Sequence, residues 1–200
     1  LLCILFATLM QIAANFINDL IDFRRGTDGT ERLGPERACA QGWIKPTDMC
    51  IGIALVLFPA CVVGLGLLPF GGWPLILVGG ACVLFAFLYT TLLSYCGFGD
   101  VLVYVFFGFV PVCCTYFVEA GDVLPEIFLL AAGCGLVIDT LLVLNNYRDR
   151  TTDRVAGKHT LIVIFGERFG SLFYLGQGLI GCACVRGAFA FNGRRAALLP

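Results

Sequence analysis

Gln11, Asn15, Asn18 and Asp22 step by four, three and four residues along an apolar opening segment. Asp139, Asn146, Asp149 and Asp153 step by seven, three and four along a second one. Each spacing puts its polar groups on a single helix face. A charge within a membrane helix costs roughly 2.5–3.5 kcal/mol even on the lenient insertion scale, so acids in such places mark function by default. One stripe alone reads plainly as an interfacial ion-pair cap. Two stripes of the same design, each Asn preceding Asp by three or four residues and each running into Arg and Lys, favour one shared site. Carboxylate oxygens are hard ligands suited to magnesium, which is bound chiefly through substrate phosphates and water. The flanking Arg and Lys supply donors for the remaining phosphate oxygens, Arg in a bidentate manner. At a membrane surface this chemistry fits a diphosphate whose tail lies in lipid, and a polyprenyl diphosphate is the substrate class.

The elements that must position these groups follow from composition. The chain has 200 residues, 59% hydrophobic and 14% charged, with a mean hydropathy of +0.91. Soluble domains average about 45–50% apolar and about 25% charged. Apolar segments at about 1–21, 50–69, 73–93, 101–118, 124–146 and 169–185 are each near the length that crosses a bilayer. The expected fold is all-α, a multi-spanning transmembrane bundle of about six helices embedded in a lipid bilayer. The thirteen Lys and Arg fall into groups of five at 24–45, five at 148–168, and three at Arg186, Arg194 and Arg195. Four helices separate the first two groups, so they share a membrane face, and the positive-inside rule makes it cytoplasmic. The localisation expected is the inner (cytoplasmic) membrane, multi-pass, with the site facing the cytoplasm. No nucleic-acid partner is expected. The eleven cysteines form no CxxC pair and read as small packing residues.

Three stretches then carry a resemblance. "NDLIDFRRGTD" (18–28), "RLGPERACAQGWI" (32–44) and "NNYRDRTTDRVAGKHTLIVIFGERFG" (145–170) resemble the UbiA superfamily of intramembrane prenyltransferases. Within it they look most like the 1,4-dihydroxy-2-naphthoate polyprenyltransferases of menaquinone synthesis. "RLGPER" points to that branch rather than the 4-hydroxybenzoate branch, and "YTTLLSYCGFGD" (89–100) resembles its connecting segment. The resemblance implies a bundle of about nine helices around one cavity, of which this chain supplies about six. Residues 1–200 would then be a single prenyltransferase domain truncated at both ends.

The resemblance also implies roles. Asn18 and Asp22 match the opening of the first aspartate motif. Its usual third acid falls on Gly26, so Asp28 is taken as the substitute. Asp149 and Asp153 match the second motif, with Asn146 before it. Asp22, Asp28, Asp149 and Asp153 would hold two Mg2+ ions. Arg37, Arg148 and Lys158 would neutralise the leaving pyrophosphate. The prenyl group would pass to 1,4-dihydroxy-2-naphthoate with loss of its carboxylate, giving a demethylmenaquinone. Tyr89, Tyr95, Asp100 and Tyr147 are candidates to orient the ring or shelter the allylic cation, although interfacial anchoring is the plainer reading of the aromatics. Asp139 reads equally as an acceptor contact or a bond to a neighbouring helix.

Other readings have less support. "DGTER" (28–32) faintly resembles the CDP-alcohol phosphotransferases, but their Ala-Arg pair and closing acids are missing. A transporter would place its acids near the midplane, whereas all but Asp139 cluster at one face. An inactive membrane fragment is the remaining alternative.

Overall fold

The computed structural model describes residues 1–27 and 33–191. Among these residues every regular element is helical. Six helical stretches are long and apolar enough to span a membrane: Leu2–Arg25, Pro46–Gly71, Pro74–Thr91, Gly99–Ala120, Pro125–Val155 and Glu167–Ala190. The chain is a multi-pass membrane protein. Many of its exposed side chains are large and apolar, among them Leu55, Phe58, Leu77 and Leu179, as lipid-facing positions must be.

Helix α1 (Leu2–Arg25) stops where Gly26 turns to φ +68, with Arg24 and Arg25 in its last turn facing the negative end of the helix dipole. Helix α2 (Pro46–Leu65) opens on Pro46, the first-turn position proline tolerates. It packs on α1 through Ile17, Leu20, Met49 and Ile53, and Cys39 from the intervening loop closes that core. The short α3 (Leu68–Gly71) leads into α4 (Pro74–Thr91), and a 3₁₀ turn (Leu93–Cys96) leads on to α5 (Gly99–Val103). A π turn (Tyr104–Phe109) joins α5 to α6 (Val110–Ala120), so one span is built from two α segments with a π turn between them.

Helix α7 (Pro125–Val155) carries the second acidic stripe; the short α8 (Leu161–Phe165) and α9 (Glu167–Phe191) follow. Contacts run Gly133 to Gly181, Asp139 to Gln177 and Tyr147 to Gly170, so α7 and α9 are antiparallel. The apolar sequence predicts an end to this span near 146, whereas α7 continues helical to Val155. Its last two turns have left the apolar run but remain helical, with Arg148, Arg150 and Thr152 bonded to groups on α7 itself. Asp149 and Asp153 therefore stand on a rigid helix and not in a loop.

Candidate active site

Asp22, in the last full turn of α1, is 7% exposed, and among the described residues its Oδ1 has no hydrogen-bond partner. Its main-chain carbonyl accepts from Thr27, by both N–H and hydroxyl at 3.1 Å, which fixes the turn that leaves the helix. One turn earlier, Asn18 accepts from the Thr90 hydroxyl of α4. Asp19 was not singled out in the sequence. It is 7% exposed and accepts from the amides of Ala38 (2.9 Å) and Cys39 (3.1 Å), pinning to α1 the loop that bears Arg37. Among the described residues the Arg37 Nε, buried there, has no hydrogen-bond partner. A partnerless buried donor and a partnerless buried acceptor each cost free energy unless something binds them.

At the end of α7, Arg148 grips Asp149 with two 2.7 Å bonds, and Lys158 lies 3.9 Å from Asp153. Asp22 and Asp149 are both within electrostatic reach of Asp153, so the two stripes come to the same end of the bundle. Tyr95 lies between their carriers. Arg25 sits 4.5 Å from its ring centroid and Lys158 5.4 Å, both within cation–π range. The Tyr95 carbonyl accepts from His159 N–H at 3.1 Å, and Arg25 also donates to the Thr90 and Thr91 carbonyls that end α4. The two basic groups of the sequence thus reach the same end of the bundle.

Below this charged end lies a cavity of about 840 Å³ walled by α1, α4, the π turn, α6 and α7. That is within the roughly 300–1,000 Å³ typical of ligand sites. Its wall is apolar except for a few groups, of which Gln11, Asn15 and Asn18 come from the α1 stripe. On α7 the cavity is lined by Ile138, Leu141, Leu142 and, as the polar group, Asn145, one residue from the expected Asn146. Asn146 lines a separate small gap together with Asp100, which is 6% exposed. Tyr147 is turned from the cavity, its ring against Gly170 of α9 and Arg150 4.8 Å away. Asp139 also faces α9, where it accepts from Gln177 Nε2 at 2.6 Å. Asp28 lies outside the described residues.

Among the described residues, no group of three or more His, Cys, Asp or Glu side chains is gathered tightly enough to hold a metal ion. The partnerless Asp22 oxygen and the acids of α7 fit instead a hard divalent ion held jointly with phosphate oxygens and water.

The pinned loop has a reactivity consequence. Burial first, and then the Asp19 carboxylate beside it, push the Cys39 thiol up to about 11. The thiolate is the nucleophile, so near neutral pH Cys39 is held in the unreactive form and gains reactivity only as pH approaches 11. Peptide mapping after maleimide treatment at pH 7.5 is expected to show Cys39 labelled at least about tenfold more slowly than the exposed Cys96 of the 3₁₀ turn. Equal rates would mean that the loop does not close over it.

Acids and bases gather at one end of an apolar cavity inside a bundle of membrane-spanning helices. The chain belongs to the UbiA prenyltransferase family, whose model matches residues 1–198. Among proteins, it is 34% identical over 176 residues to the 1,4-dihydroxy-2-naphthoate octaprenyltransferase of Escherichia coli (strain K12), covering 84% of this chain and 57% of that protein. To the protein of the same name in Mycobacterium tuberculosis (strain ATCC 25618 / H37Rv) it is 35% identical over 188 residues, covering 92% and 63%. It is 28% identical over 181 residues to UbiA prenyltransferase domain-containing protein 1 of Danio rerio, covering 87% and 53%. The chain therefore spans less than two thirds of each of these relatives. No solved structure matches it.

Proposed function

We propose that this protein transfers a polyprenyl group from a polyprenyl diphosphate to 1,4-dihydroxy-2-naphthoate, with decarboxylation, giving a demethylmenaquinol, the reduced form of a demethylmenaquinone. One observation carries the reading. The same helices that bring Asp22, Asp149 and Asp153 to one end also wall the apolar cavity directly below, with Asn18 at the junction. A diphosphate seated at the charged end lays its tail into the cavity. The names of the bacterial relatives support the naphthoate acceptor. The positive-inside rule supports a site facing the cytoplasm from the inner membrane.

The residues act as follows. Arg37, Arg148 and Lys158 take diphosphate oxygens, and their positive charge favours the charge gathered on the leaving group, the kind of effect that often dominates catalysis. Asp22, Asp149 and Asp153, with Asp28, would hold Mg2+ against the diphosphate, where the ion supplies charge neutralisation and orientation. Asn18, anchored by Thr90, marks where the reacting carbon passes from the charged end to the apolar wall. The aromatic side of that wall includes Phe85 and Phe106, rings 5.1 Å apart, which shelter a carbocation from water.

The test is expression in membranes lacking this activity, with labelled polyprenyl diphosphate, Mg2+ and either dihydroxynaphthoate or 4-hydroxybenzoate. Lipid-soluble product with dihydroxynaphthoate, abolished by a chelator, is expected. Product with hydroxybenzoate alone would move the acceptor to the other branch, and no product with either would remove the transferase reading.

A further inference from the structure

Resting on that reading, we propose that Tyr89 and Asp100, bridged by one water, form a proton relay that takes the acceptor's ring hydroxyl proton and returns it. Tyr89 and Leu142 line both spaces, and Tyr89 is the polar one of the two. It forms part of the large cavity's wall, and it also lines a gap of about 10 Å³ on the far side. Ser94, Asp100, Asn146 and Thr160 line that gap too, arriving from the 3₁₀ turn, α5, α7 and the start of α8. Its size is on the order of the 10–15 Å³ that admits a single water, and it offers more than the two to four polar partners a water needs.

The approach is close. A methyl group built on Gly99 would lie 3.6 Å from the Tyr89 ring edge and 4.0 Å from its hydroxyl, and Asp100 is the next residue. Four carboxylates are within electrostatic reach of Tyr89: Asp100 foremost, then Asp22, Asp139 and Asp153. Asp139 is held by Gln177, Asp153 faces Lys158, and Asp22 belongs to the cation-binding end. Asp100 alone shares the gap, and among the described residues no Lys or Arg pairs with it.

The step balances without an added reagent. The acceptor's hydroxyl proton passes to the Tyr89 oxygen, the Tyr89 proton to the water, and a water proton to Asp100. The hydroxyl's electrons move into the ring, whose carbon forms the new bond to the prenyl carbon, while the carbon–diphosphate bond breaks with its pair on pyrophosphate. The carboxylate then leaves as CO2, its electrons restore the aromatic ring, and the proton returns along the same path to the ring oxygen.

The experiment compares the unmodified protein with Asp100→Asn and Tyr89→Phe, reading both prenyl transfer and solvolysis of the prenyl diphosphate without acceptor. Each substitution is expected to lower kcat for transfer by about 100-fold or more, with KM within about twofold and solvolysis retained. An acceptor whose ring hydroxyl is made more acidic by an electron-withdrawing substituent is expected to recover about tenfold of that loss. Full turnover in Asp100→Asn would overturn the relay, leaving pyrophosphate as the proton acceptor. Loss of solvolysis together with transfer, with no recovery by the acidic acceptor, would overturn it in favour of a structural role. No product from the unmodified protein would overturn the transferase reading, and the relay with it.

Discussion

Asp153→Asn is expected to lower prenyl transfer by about 10²–10³-fold in kcat/KM, the range found when one preorganised electrostatic partner is removed. Asp153 stands at the end of the bundle to which both stripes come, within electrostatic reach of Asp22 and Asp149 and 3.9 Å from Lys158. Asparagine keeps the shape and the helix but deletes the charge. Lys158 is then left without its counter-ion, and on the proposed reading the charged end loses one ligand for the cation. Asp149 is gripped by Arg148 through two bonds and shares its charge with that guanidinium, so Asp149→Asn should cost less than Asp153→Asn. The two losses should fall well short of multiplying in the double variant, because both residues serve one ion-and-phosphate assembly. The check is steady-state transfer against Mg2+ concentration for the three variants. A fully multiplicative double variant, or an Asp153→Asn protein of ordinary activity, would separate the two stripes into independent roles.

How far the sequence reaches can be seen along α7. Steps of three and four residues fix an angular face, and that is enough to bring Asp149 and Asp153 to the end of the bundle that also holds Asp22. Angle alone does not say what a face meets. Asp139 and Asn146 are seven residues apart and nearly aligned, yet Asp139 meets α9 while Asn146 meets the gap beside Asp100, because the neighbours of a 31-residue helix change along its length. A single residue is about 100° of rotation, enough to put Asn145 and not Asn146 on the cavity. Asp19 was illegible for another reason. Its role rests on two backbone amides some twenty positions away, and backbone donors carry no signature in residue type. Tyr95 had a plain interfacial reading as an aromatic at a helix end. Only the approach of both Arg25 and Lys158 to its ring makes it the joint between the basic groups.

Gly108→Ala is expected to be the most damaging small substitution in the bundle. A methyl built there would lie 2.6 Å from the Gly135 Cα, 2.8 Å from the Ala131 carbonyl oxygen and 2.9 Å from the Gly135 nitrogen. All three are backbone atoms of α7, so no side chain can rotate away and the helices themselves must part. Overpacking of this kind typically costs about 1–3 kcal/mol. For a chain of this length that corresponds to a fall in Tm of roughly 2–4 °C per kcal/mol. The control is Gly176→Ala, where a methyl meets nothing within 4 Å and removal of a helical glycine should be neutral or stabilising. Thermal inactivation in detergent, read as a half-life because unfolding of such proteins is often irreversible, separates the two. Equal half-lives would mean that the π turn and α7 do not touch. The effect reaches function through the same turn. Phe106 and Phe107 stand on it and wall the cavity, and the wider i→i+5 winding gives Gly108 its seat against Gly135. Moving α7 away from the turn therefore changes the shape offered to the prenyl chain. The Gly108→Ala protein that survives should accept a different distribution of chain lengths, whereas Gly176→Ala should leave that distribution unchanged.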